Sequence, residues 1–201
     1  MKRQLKLKAG AKIPFPDKVF EEYETGENWI LANVGVDKIE EVMQHFILMH
    51  DEPLFFILEL PAKCDEETEI EPGIVEKLHK NVYYIDGCSQ DDALLIMLRV
   101  GNLIFNDGLS AFGYGCHESH DEIMFGKYNV LKIYSENIEE YKDFFEEHDI
   151  ERTDNLITAW DTFSADNPGE SDLYEINGRS VYDIPQQLKK WGMYLAEQRE
   201  E

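Results

Sequence analysis

The sequence predicts an α+β protein, or α/β: a mixed, largely antiparallel sheet packed with helices in a single domain. Three observations predict it. Strand-like and helix-like patterns alternate in the first half of the chain. From Leu109 to Ser135, three β-rich runs follow one another across short polar turns, as in an antiparallel meander. Apolar residues make up 43% of the chain and aromatics 12%, too much for a disordered acidic segment. A chain of 201 residues buries roughly 70% of its unfolded surface, so it needs neither disulfide nor metal to fold.

The elements follow in order. NWILANVG (28–35) is a short apolar run ending in glycine and reads as a strand. Asp37 then reads as a helix cap with Glu40 as its capping-box partner. Ile39, Val42, Met43, Phe46 and Ile47 recur at helical spacing behind it. LFFILEL (54–60), bounded by prolines, reads as a central strand covered on both faces. The acidic, turn-rich KCDEETEIEPG (63–73) reads as a solvated loop, and Ile74–His79 as a short helix. NVYYIDG is a further strand. Ser89 with Asp92 caps a helix whose body, Ala93 to Phe105, is apolar almost all round and therefore reads as buried. Gly101-Asn102 is also compatible with a two-residue hairpin turn; the cap favours the helix.

After the meander, Asn137 with Glu140 opens a helix whose apolar side is Ile138, Tyr141, Phe144 and Phe145. Thr153 or Asp154 reads as the start of another, through Ala159, Trp160 and Phe163. SADNPGES (164–171) has the composition of a linker. DLYEINGRSVYDI fits a hairpin turning at Asn177-Gly178. Asp183 reads as the cap of a last helix, with Pro185 in its first turn and Ile184, Leu188, Trp191 and Leu195 along one side. The organisation expected is a basic segment at 1–12, a main body at 13–165, and a hairpin and helix at 172–201 packed on the same domain.

Charge is the strongest global signal. The formal net charge is -23. Five bases (Lys2, Arg3, Lys6, Lys8 and Lys12) and no acid lie in residues 1–12, so the rest of the chain sets 14 bases against all 42 acids. Such a surface repels phosphate backbones, which argues against direct nucleic-acid binding, and attracts a basic protein. MKRQLKLKAGAKIPFP is basic but lacks the apolar core of a secretory signal. No apolar run approaches the ~20 residues of a membrane span. Three widely spaced cysteines, at 64, 88 and 116, suit reduced thiols, so a cytoplasmic location is expected.

The densest polar stretch is CHESHDE (116–122). On a helix, His117, His120 and Asp121 share a face; in an extended chain, Cys116, Glu118, His120 and Glu122 do. Cys116, His117 and His120, with Glu118, are therefore an alternative metal or hydrolytic set, though the spacing matches no zinc signature. Glycines at 113 and 115 and strand-like flanks favour a hairpin loop used for recognition. Cys88, ahead of a helix N-terminus, is a second nucleophile candidate with His117 or His79 as base. Asp91 and Asp92 in the first turn oppose a thiolate there. There is no GxSxG elbow, GxxxxGK[ST] loop, GxGxxG turn or calcium-loop spacing, and no cofactor is indicated.

NDGLSAFGYGCHESHDEIMFGKYNVLKIYS (106–135) resembles small acidic bacterial proteins, some of which look like immunity proteins that neutralise polymorphic or contact-dependent toxins. The resemblance implies a tight, non-catalytic inhibitor of a basic toxin domain such as a nuclease; it carries over no catalytic residue. The residues expected to meet such a partner are Tyr114, His117, Glu118, Asp121 and Glu122. The acidic run Asp65, Glu66, Glu67 and Glu69 is a second candidate surface.

Overall fold

The computed structural model describes residues 2–62, 69–71, 74–75 and 79–200. Among these residues the strands are β1 (Ala11–Lys12), β2 (Glu22–Thr25), β3 (Trp29–Asn33), β4 (Leu54–Pro61), β5 (Glu69–Glu71), β6 (Ile74–Val75), β7 (His79–Cys88), β8 (Ala111–Cys116), β9 (Glu122–Phe125), β10 (Val130–Tyr134), β11 (Glu151–Arg152), β12 (Glu170–Ser171) and β13 (Tyr194–Glu200). The α-helices are α1 (Ile39–Met49), α2 (Gln90–Ile104), α3 (Glu139–Glu147) and α4 (Ile184–Leu188).

Nine strands make one sheet in the order β11-β2-β3-β10-β9-β8-β4-β7-β13. Its pairings are antiparallel except for β11 against β2. The expected α+β class with a largely antiparallel sheet is what the chain adopts.

Alternation along the strands assigns the two faces. Phe56, Leu58 and Leu60 of β4, Phe112 and Tyr114 of β8, Ile123 and Phe125 of β9, and Leu131 and Ile133 of β10 belong to one buried cluster. The apolar sides of all four helices join that same cluster. The helices therefore lie on one side, and no α-helix among the described residues covers the opposite face, which carries Glu59, Ala111, Gly113, Met124 and Lys132. Gly113 and Gly115 suit that face. A Cβ on Gly113 would strike the Ile123 carbonyl and the Met124 sulfur, and one on Gly115 would strike the Phe55 ring.

Several expected elements form as the residues dictate. The five apolar residues of α1 are all buried. The Ser89–Asp92 capping box starts α2, which excludes the hairpin alternative at Gly101-Asn102. The three runs of the meander pair as β8, β9 and β10. Asn177 and Gly178, both at positive φ, make the expected turn, although only the single bridge Ile176–Arg179 flanks it.

Other expectations give way to tertiary contacts. Asp37 does not cap α1; Lys38 occupies that position, and the Asp37 carboxylate pairs instead with Arg3 at 3.1 Å. α2 is not buried all round, because it leaves Leu95 and Leu98 exposed. Ile74–Val75 is a strand against β5 and His79 opens β7, so the short helix is absent from the described part of 74–79. Residues 153–163 form no α-helix. β11 precedes them, and only one 3-10 turn, Ala159–Thr162, follows, held by a Thr158–Asp161 capping box. Nor is 164–171 a free linker: β12 pairs with β1, and Lys12 reaches Glu170 and Asp172. Ser180, not Asp183, opens the last helical stretch, which ends at Gly192; Leu195 lies on β13 at the sheet edge and is half exposed.

The basic N-terminal segment lies against the body. Lys2 pairs with Glu22 at 2.5 Å, Arg3 with buried Glu21 at 3.2 Å, and Lys6 with Asp37 at 3.7 Å. Leu5 and Lys8 are buried, and the Lys8 ammonium donates to the Gly126 carbonyl at 3.0 Å.

Candidate functional site

CHESHDE closes the β8–β9 hairpin. Cys116 ends β8, His117–His120 make the turn, with His120 at positive φ, and Glu122 begins β9. The backbone N–H of Cys116 donates to the carbonyl of Asp121 at 2.9 Å, which locks the base of the loop. The solvated hairpin loop expected here is what forms, but it divides the proposed contact residues.

His117 and Glu118 are exposed. The His117 ring rests 4.7 Å from that of Phe55 on the open face, and its Nε2 lies 3.6 Å from Asp86. Tyr114 is fully buried beneath α2, and its hydroxyl donates to the Ala93 carbonyl at 3.1 Å. Burial raises its pKa further above the ordinary phenol value. Tyr114 has no surface to give a partner: β8 alternates, and position 114 falls on the helix side.

Asp121 is buried too. His50 Nε2 donates to its Oδ2 at 2.7 Å, and the Ser135 hydroxyl donates to the same oxygen at 3.1 Å. The other ring nitrogen of His50 faces the Phe46 carbonyl at 2.8 Å. Both ring nitrogens thus face oxygen atoms of the protein. Asp121 is therefore an internal clamp rather than a contact residue. Glu122 is half-buried on the open face; burial, and then the charge of Glu59, raise its pKa, while Arg199 opposes them.

The metal alternative does not assemble. Cys116 is buried on the helix side, its thiol donating to the Asp51 carbonyl at 3.5 Å, while His117 turns to the open face. Among the described residues no three histidine, cysteine or acidic side chains are placed to hold a metal ion. Cys88 is likewise buried, its thiol 3.6 Å from the Ile85 carbonyl. Burial, and then the negative charge of Asp92, push its pKa up to about 11, so it stays a neutral thiol at ordinary pH. Asp65, Glu66 and Glu67 lie outside the described residues, and Glu69 opens β5.

What the structure adds is the clamp's consequence. His50 directly follows α1, Asp121 ends the hairpin loop, and Ser135 directly precedes the turn into α3. Their hydrogen bonds draw three segments to one point. The segments 48–53, 116–122 and 134–140 contain no lysine or arginine. Asp51, Glu52, Glu118, Glu136, Glu139 and Glu140 are all exposed there. Sequence reasoning found one of the three segments; a single buried aspartate in a solvated-looking loop gave no sign of its partners 71 and 14 residues away.

Fold and site together define an acidic α+β protein: an open-faced sheet, helices on one side, and a rim of carboxylates at one end in which only Glu139 pairs with a cation, Lys142. Comparison of the chain with protein-family models, with curated proteins and with solved structures gave no match. No helix among the described residues is long and apolar enough to cross a membrane.

Proposed function

We propose that the protein is an acidic binding protein that docks a basic protein domain on the rim around the His50–Asp121–Ser135 clamp, in the manner of an immunity protein neutralising a toxin in the cytoplasm. The observation that carries this reading is the charge arrangement. Among the described residues the N-terminal bases pair with acids of the body or are buried, while the three clamped segments hold six exposed carboxylates and no lysine or arginine, with only Glu139 taking an ion pair, from Lys142. Carboxylates uncompensated by their own chain accelerate encounter with a cationic surface, and they pair with the lysines and arginines that would otherwise hold phosphates.

The test begins with the neighbouring genes, where this reading expects a basic toxin domain, and uses that domain as the ligand. Co-expression should protect cells. The triple variant Glu118→Lys, Glu136→Lys, Glu140→Lys should lose protection with an unchanged circular dichroism spectrum, because all three side chains are exposed. Association of the wild-type pair should slow steeply as ionic strength rises. Full protection by the triple variant would remove this rim as the docking surface.

A further inference from the structure

The open face of the sheet carries a feature of opposite sign. A pocket of about 460 Å³ lies across the ends of β7, β4, β8, β9 and β10, within the range of small-molecule sites. Ala111, Met124 and Val130 give it an apolar floor, and Trp160 stands at its side. Three lysines, Lys80, Lys127 and Lys132, border it against one acid, Glu59. In a chain with 42 acids and 19 bases, that local excess of cations inverts the global balance. Lys80 lies 3.4 Å from Glu59, whose other oxygen takes Arg199 at 3.2 Å. Lys132 is exposed on the central strand β10 and has no carboxylate within ion-pair distance among the described residues.

The wall of the pocket is held in place before any ligand arrives. Tyr128 and Asn129, consecutive non-glycine residues, both sit at left-handed φ, 54° and 64°. That conformation costs roughly 1–2 kcal/mol per residue and persists only where surroundings impose it. Here they do. The Asn129 carboxamide donates to the Val34 carbonyl at 2.9 Å and accepts the Lys8 N–H at 3.0 Å. The Tyr128 ring meets Trp160 edge-on at 4.8 Å. The turn therefore fixes both Lys127 and the indole beside the pocket.

We infer that this pocket binds a small amphipathic carboxylate, its apolar body on the Ala111–Met124–Val130 floor beside Trp160 and its anionic group at Lys132 and Lys80. Two features select that chemistry. The floor is apolar but too small and recessed for a flat protein surface, and the cations stand on its border, where a carboxylate remains partly hydrated. The site is separate from the carboxylate rim and does not depend on its role.

The probe is 8-anilino-1-naphthalenesulfonate, titrated by fluorescence, with decanoate and decanol as competitors. Saturable binding is expected, with decanoate displacing the probe at least about tenfold better than decanol, the equivalent of one charge-assisted hydrogen bond. Lys132→Glu should weaken decanoate by about tenfold or more, and Ala111→Trp should abolish binding by filling the floor. The triple rim variant should bind decanoate like wild type. Absence of binding, equal competition by decanol, or decanoate affinity unchanged in Lys132→Glu would overturn the assignment. Should Ala111→Trp fail to fold, Lys132→Glu decides alone, since its side chain is exposed.

Discussion

Asp121 and Lys8 are the two buried charges on which single substitutions should speak most clearly. Replacing Asp121 by Ala leaves the His50 Nε2–H and the Ser135 hydroxyl facing an apolar gap. That should cost about 3 kcal/mol, read as a lower urea midpoint with an unchanged m-value. Lys8 works in the other direction. Burial, opposed by Asp107 and aided by Lys127, pushes its pKa down from 10.5 to about 8. Between those values the unfolded chain holds a proton that the folded chain has released, so the Lys8 contribution to stability rises with pH across the window. Below it the buried ammonium carries its full desolvation cost. Lys8→Met should therefore stabilise the protein by about 1–2 kcal/mol near neutral pH. The gain should shrink as pH climbs from 8 toward 10; a gain constant with pH would show that the ammonium is not the cause. Neither charge announces itself in the sequence, because a lysine in a basic run and an aspartate in an acidic loop both read as solvated.

At the scale of elements, the three-way crossing near residue 108 is the most demanding contact. The Gly10 N–H donates to the Asn106 carbonyl, the Gly108 N–H to the Asp172 carbonyl, and the Asp172 N–H back to Gly10. A Cβ on Gly108 would lie 1.9 Å from the Gly10 oxygen, so backbone must move to admit it. Gly108→Ala should cost about 2–4 kcal/mol in thermal or urea unfolding, and Gly126→Ala, where an added Cβ would meet only the Val130 carbonyl at 3.5 Å, markedly less. A cheap Gly108→Ala would mean that β1 and β12 are only loosely tied. This crossing explains why a stretch with linker composition is not a linker. Local composition reports what 164–171 prefers alone, and the β1 ladder decides where it goes. The same holds for 153–163: its residues are compatible with a helix, but the backbone of 151–153 is claimed by β2, and the remainder is short. Where local signals were reinforced by burial, as in α1, α2 and the meander, the sequence reading and the structure coincide.

For the whole molecule, repulsion among surplus acids is the dominant electrostatic effect. The solvent-facing pairs Arg3–Asp37 and Lys12–Glu170 are each worth little and weaken in salt. The net charge of -23 opposes compaction, and screening relieves it. Raising salt from about 20 mM to about 0.5 M should therefore raise the unfolding midpoint by several degrees. A fall would show that the ion pairs outweigh the repulsion. β13 makes the sheet a unit that spans the chain. It is the last described strand, yet it pairs with β7 beside β4 in the middle of the sequence. Residues 172–200 are thus structurally continuous with the body rather than appended to it.

The class of fold, the faces of α1 and the meander, the capped start of α2 and the sign of the surface are all legible from the residues in order. These follow from spacing and composition, which act over a few residues. Which charges face solvent is set by the assembled fold. It buried Tyr114 and Asp121, joined His50 to Ser135 through a shared carboxylate oxygen, and gathered lysines from β7 and β10 around one pocket. Burial and long-range pairing are properties of segments brought together from distant positions, and no local window of residues contains them.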